Sequence, residues 1–224
     1  MIELLDHGHV RLVDHMGSDL SIVRNARCSY NAEWKAGDDE GSDSRLINYL
    51  YKNGHNTPFE AVVFTFDVKA PIFVFRQWHR HRTQSYNEVS ARYTELPEEF
   101  YVPKPEHIGT QSKDNKQMRD MNREVDDYLL GAVGVMRKHN ERAFQHYREL
   151  ITVGVPRELA RSVLPVATYS HMFATMNLHN LFGFLRERLH EHAQYEIRVY
   201  AQAMLELIEP IVPVAVEVFR KERV

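Results

Sequence analysis

Four arginines and one acid, Glu88, stand between Arg76 and Arg92, the densest polar stretch of the chain. It reads Arg76-Gln77-Trp78-His79-Arg80-His81-Arg82-Thr83-Gln84-Ser85-Tyr86-Asn87-Glu88-Val89-Ser90-Ala91-Arg92-Tyr93. Guanidinium groups are planar, permanently charged and donate hydrogen bonds in parallel pairs, which suits phosphate or carboxylate. Gln77, Gln84, Ser85, Asn87 and Ser90 add neutral hydrogen bonding, and Trp78, Tyr86 and Tyr93 offer faces for stacking on a planar ring. A nucleotide needs that combination of cation, amide and aromatic. A solvated basic loop and a nucleic-acid surface use the same residue types. The balance of 28 Lys+Arg against 31 Asp+Glu, a net charge of −3, argues against a globally basic nucleic-acid binder.

Other reactive side chains carry weaker signals. His79 with His81, and His190 with His192, are spaced by two, which aligns a pair on one side only in a strand. Metal-binding helices use i, i+4 instead, so no metal site is expected. Ser90 is a nucleophile only beside a base, and no base is specified by its neighbours. The single cysteine, Cys28, allows no intramolecular disulfide, fits a reducing compartment and reads as a small buried apolar side chain beside Ile22, Val23 and Ala26.

The elements that must position these residues follow from periodicity. Residues 42–54 read as a helix capped by Ser42 or Ser44, with Leu46, Ile47, Leu50 and Tyr51 on one face and Gly54 ending it. Val62, Phe64, Phe66 and Val68 alternate with polar or smaller neighbours, the period of a strand. Pro71 suits the first position of a helix over 72–77 that feeds the arginine run. Residues 100–102 read as a short strand and 104–116 as loop. From Arg119 the pattern turns helical, with Val125, Tyr128, Leu129, Val133, Val135 and Met136 on one face and Gly154 as C-cap. Pro156 opens a helix through Val163, stopped by Pro165. Residues 167–175 are β-compatible, Asn177 caps a helix through Glu187, and 193–209 form a long helix with Ile197, Tyr200, Ala201, Met204 and Ile208 on one face. Strands and helices mix without βαβ alternation, so the expected class is α+β: a central, mostly antiparallel sheet flanked by helices, with a helical lobe. The 224 residues, 43% apolar, suit one domain with a real core. No apolar run is long enough to span a bilayer and the first residues lack a signal-peptide pattern, so a cytoplasmic protein with no membrane partner is expected.

The order of residues narrows the chemistry. Residues 80–93 match the pattern RHRxxSxNExSxRY at all nine fixed positions. That resembles the signature of the flavin-dependent thymidylate synthases. Residues 54–60 (GHNTPFE), 69–78 (KAPIFVFRQW), 154–165 (GVPRELARSVLP) and the set Asn177, Arg188 and His192-Ala193-Gln194 resemble further segments of that family. The resemblance implies one domain over 1–224 that methylates dUMP to dTMP, with FAD reduced by NADPH and methylenetetrahydrofolate giving the carbon. It implies a homotetramer with active sites shared between subunits and no nucleic-acid partner.

Residue by residue, the resemblance implies that Thr57, Arg80, His81, Arg82, Glu88, Asn177, Leu178, His179 and Gly183 hold FAD. It implies that Gln77, Trp78, His79, Arg80, Glu88, Val89, Ser90, Ala91, Arg92, Arg161 and Arg188 contact dUMP. Arg188, His55 and Ser90 are the catalytic candidates: a fixed guanidinium beside the uracil imide favours its ionised form, and a phosphate hydrogen bond suits Ser90. Two residues depart from the family pattern, His79 where an aromatic such as Phe is expected and His179 where Arg is common. Gly183 offers only backbone.

Overall fold

A computed structural model describes residues 1–116, 118–121 and 126–222. Its centre is a five-stranded antiparallel sheet of order β1-β2-β3-β7-β4. The strands are β1 (Ile2–Leu4), β2 (Gly8–Met16), β3 (Val63–Pro71), β4 (Ser85–Glu88) and β7 (Tyr169–Asn177). β3 and β7 form the spine, in register from Val63 opposite Asn177 to Pro71 opposite Tyr169. The alternation expected for β3 is real: Phe64, Phe66, Val68 and Ala70 point into the core. The other face carries Thr65, whose hydroxyl bonds that of Thr175 at 2.9 Å across the strands.

The core lies between the sheet and helices α1 (Asp19–Cys28), α2 (Glu40–Lys52), α3 (Ile72–Trp78), α6 (Leu178–Arg188), α7 (Tyr195–Ile208) and α8 (Pro213–Glu222). α7 buries Ile197, Tyr200, Ala201, Met204 and Ile208, the stripe its spacing announces. Asn177 caps α6, its side chain accepting from the Asn180 N–H at 2.9 Å. A smaller lobe joins α4 (Asp127–Thr152) to α5 (Arg157–Ala160) around Phe144, Tyr147 and Ala160.

Several expectations are corrected. α2 starts earlier than Ser42 because Asp39 is the cap, accepting from the Ser42 N–H at 3.0 Å. Pro71 ends β3 and caps α3 rather than entering it. Residues 100–102 make one bridge, Phe100 to Thr168, not a strand. A hairpin of β5 (Thr110–Gln111) and β6 (Arg119–Asp120) occupies part of the expected loop and the start of the expected helix. Val125 lies outside the described residues. On α4, Leu129 is buried, but Tyr128, Val135 and Met136 are exposed, so part of the expected apolar face is not covered by the described residues. The segment after Pro156 splits into α5 and a 3-10 turn, Arg161–Val163. Cys28 is exposed, at the end of α1, not buried.

Candidate active site

α3 ends at Trp78, whose indole is fully buried against Phe184 at 4.7 Å between ring centres. The indole N–H donates to Gln84 Oε1 at 3.0 Å. The Tyr86 hydroxyl donates back to the carbonyls of His81 (2.7 Å) and Trp78 (3.3 Å). Burial pushes that phenol up to about 12, so it remains a donor across the physiological range. Trp78 and Tyr86 thus pin both ends of the turn carrying Arg80, His81 and Arg82. The chain then becomes edge strand β4, which pairs with β7 from Ser85 opposite Thr175 to Glu88 opposite Met172.

Beyond β4 the backbone lines a cleft of about 630 Å³. His79, Glu88, Val89, Ser90 and Ala91 face it from the arginine-rich segment, Arg76 from α3, and Glu158, Arg161 and Ser162 from the α5 region. The floor is apolar: Ile72, Phe75, Leu96 and Leu164. Ser170, buried on β7, donates to Glu88 Oε1 at 2.6 Å. His79 stacks over Phe75 and meets Tyr86 edge-on. Arg92 lies beside Glu158 at 3.7 Å. An apolar floor under a rim of Arg76 and Arg161 suits a flat base bearing a phosphate.

The same segment reaches a second region through His81. A trough of about 520 Å³ is lined by His81, Thr83, His179, Asn180, Gly183 and Arg186. It shares Gly54 and Asn56 with a neighbouring hollow of about 610 Å³ lined by His55, Thr57, Tyr49 and Tyr30. A Cβ on Gly183 would meet nothing within 4 Å, so the wall there is open. Asn180 Nδ2 donates to the Thr83 carbonyl at 3.1 Å and ties α6 to the turn. A long trough with a glycine wall, a helix N-terminus and cations fits an extended molecule with a flat ring and phosphates.

Arg188 sits behind this trough. Its Nε–H donates to His81 Nε2 at 3.0 Å and its Nη2 to the Gln77 carbonyl at 3.4 Å. Burial, with the Arg188 charge beside it, lowers His81 to about 4, although Glu187 opposes this. His81 is therefore neutral at pH 7 and accepts from Arg188. Burial also lowers Arg188 from its usual value, again against Glu187. Gln77 extends the frame by a side-chain hydrogen bond to Gln194.

Of the expected site residues, His79, Glu88, Val89, Ser90, Ala91 and Arg161 meet at the first cleft. His81, His179 and Gly183 line the trough, and His55 and Thr57 the hollow beside it. Arg80, Arg82 and Arg92 are exposed. Arg188 does not reach the first cleft within this chain. The side chains of Trp78 and Leu178 are fully buried, so the contacts expected of these two residues fall to their backbone. Arg76, Ser162 and Ser170 line the cleft without having been assigned to it. Arg76 stood in the arginine run, whereas Ser170 becomes a neighbour of Glu88 only through strand pairing.

The clefts, joined by one arginine-rich segment, define a nucleotide-handling protein. The chain belongs to the thymidylate synthase complementing protein family, whose model matches residues 11–214. It is 47% identical to the flavin-dependent thymidylate synthase of Treponema denticola, over 98% of this chain and 81% of that protein. Identity to the Thermus thermophilus flavin-dependent thymidylate synthase is also 47%, over 98% of this chain and 78% of that protein. Among solved structures it resembles the UMP/dUMP methylase PolB of Streptomyces cacaoi bound with 5-Br dUMP. That match has a TM-score of 0.87 and 39% identity, and covers 98% of this chain and 97% of that one. Among the described residues, no helix is long and apolar enough to cross a membrane.

Proposed function

We propose that this chain is a flavin-dependent thymidylate synthase, a cytoplasmic methyltransferase that converts dUMP to dTMP. One observation carries the reading: a single segment, residues 76–93, lines both a nucleotide-sized cleft and a trough suited to a dinucleotide. The donor carbon of methylenetetrahydrofolate is at the oxidation level of formaldehyde. Its transfer to C5 of uracil as a methyl group requires two electrons, and C5 gives up a proton. NADPH supplies that pair and tetrahydrofolate leaves. FAD, held by the residues of the trough, would supply the hydride-carrying chemistry between NADPH and the incoming methyl carbon.

The chain's own residues bind, orient and polarise. Arg76 and Arg161 hold the dUMP phosphate while Phe75 and Ile72 receive the base. Ser90 adds a phosphate hydrogen bond and Glu88, oriented by Ser170, a polar contact to the nucleotide. His55, Thr57, Arg80, His81, Arg82, Asn177, His179 and the Gly183 backbone hold FAD. Neutral His81 and the Gln77 carbonyl fix the Arg188 guanidinium, leaving Nη1 for the uracil imide. A preset cation facing developing negative charge needs no reorganisation during reaction.

Arg188 completes a cleft built by a second copy in a homotetramer, and the exposed Tyr128, Val135 and Met136 of α4 support such assembly. The test combines purified protein, FAD, NADPH, methylenetetrahydrofolate and dUMP, and follows dTMP by chromatography. Formation of dTMP, abolished in Arg188→Ala but with bound flavin retained, supports the reading. NADPH oxidation without dTMP under every condition would overturn it.

A further inference from the structure

A second cluster of chemically capable side chains lies on the sheet face opposite the core. His9 on β2, Asp67 on β3 and His171 on β7 converge there from three adjacent strands. One atom from each, two imidazole nitrogens and a carboxylate oxygen, lies within 4.8 Å of the others. Strand register makes the meeting: His9 and His171 both stand opposite Lys69, one on each side, and Asp67 is two residues away on the same face.

Each imidazole turns Nε2 toward one oxygen, Asp67 Oδ1, at 3.4 Å for His9 and in closer contact for His171. The other oxygen, Oδ2, is taken by Arg11, at 2.7 Å from Nη2 and 3.2 Å from Nε. Asp67 is almost fully buried, whereas His171 is substantially open to solvent. The Lys69 ammonium, which would repel a cation, is drawn off to Glu99 at 2.7 Å.

We propose that His9, Asp67 and His171 bind one first-row divalent cation of the zinc class per chain. Two imidazoles and one carboxylate are a nitrogen and oxygen set that suits such a metal rather than magnesium or calcium. Donors on one zinc ion lie about 3.4 Å apart, from metal–ligand distances of about 2.0–2.1 Å. The cluster reaches that spacing by small ring rotations, which the exposed His171 is free to make. Metal-free, the imidazoles donate Nε2–H to the carboxylate; bound, each presents the Nε2 lone pair as its other tautomer. Arg11 acts from behind, holding Oδ2 so that Oδ1 faces the imidazoles. Its charge opposes the ion, but zinc sites made of three neutral imidazoles show that an uncompensated dication is tolerated. Three protein ligands leave a position on the solvent side for water. Bound there, the ion cross-links β2, β3 and β7 on a face separate from both clefts.

The full chain is stripped with EDTA, dialysed against zinc chloride and measured for bound metal by mass spectrometry. Affinity is taken by isothermal titration calorimetry. Expected are about one equivalent per chain, a zinc-dependent rise in Tm, and affinity at least about tenfold weaker in His9→Gln and in His171→Gln. A His190→Gln/His192→Gln variant, removing the other close histidine pair, should bind as the parent does. Circular dichroism of each variant verifies that the fold is intact, and the two single variants guard against loss of either one. Failure of the parent chain to take up zinc would overturn the proposal. So would unchanged affinity in both single variants, or loss only in the His190/His192 variant.

Discussion

Protonating His81 places two donors face to face. Its Nε2 accepts from the Arg188 Nε–H at 3.0 Å, and a proton on Nε2 ends that bond and sets two cations in contact. The folded value near 4 lies below the 6.5 of an unperturbed histidine, so between these limits the unfolded chain binds more protons. The stabilisation is therefore complete above about pH 6.5 and is lost as pH falls toward 4. That gap sets a ceiling of about 3 kcal/mol. His81 is only half-buried, and solvent screening reduces the expected loss to about 1–2 kcal/mol. Many other groups titrate in the same window, so the measurement is a difference between two proteins. His81→Gln keeps a carbonyl acceptor within reach of Arg188 but has no proton to gain. Urea unfolding of both, at fixed protein concentration and at half-unit steps from pH 7 to 4, gives the comparison. The parent should lose about 1–2 kcal/mol more than the variant on acidification. Parallel losses would refute the assignment of a neutral, accepting His81 and, with it, the orientation given to Arg188.

Three further perturbations test other parts of the structure. Arg119→Met leaves the carboxylate of Glu196, 1% exposed, without the cation that meets it at 2.6 and 2.8 Å; among the described residues the Tyr101 hydroxyl at 3.0 Å remains. A cost of about 3 kcal/mol in urea unfolding is expected, and a change below about 0.5 kcal/mol would contradict it. Gly8→Ala sets a Cβ 2.0 Å from the Tyr200 hydroxyl, which donates to the Lys69 carbonyl at 2.7 Å. Thermal unfolding should show a loss of about 1–3 kcal/mol. Arg161→Ala removes a cation from the first cleft, so steady-state kinetics should show KM for dUMP raised by about tenfold or more with kcat much less affected.

The sequence disclosed most where a local rule and the tertiary structure agree. β3 and α7 each bury one continuous apolar face, so alternation in one and helical spacing in the other were readable. β4 was not, because only Tyr86 of its four residues is partly buried, and a single apolar residue has no period. The β1–β2 hairpin was hidden by the polar side chains of its open face, His9, Arg11 and Asp14 among them. α4 misled for a different reason: its apolar residues are real, but the described residues leave Tyr128, Val135 and Met136 uncovered. The same boundary runs through the site. Residues 80–93 are contiguous and legible as a motif. Ser170 and Glu88 are 82 residues apart, and His171 and Asp67 104 apart, so strand pairing alone makes them neighbours. The histidine pairs spaced by two drew attention because they are close in sequence. The histidines best placed for a metal, His9 and His171, are 162 residues apart and stand on strands that both pair with β3. A search over spacing cannot find ligands whose separation is set by sheet order. It finds only those whose geometry is completed within one element.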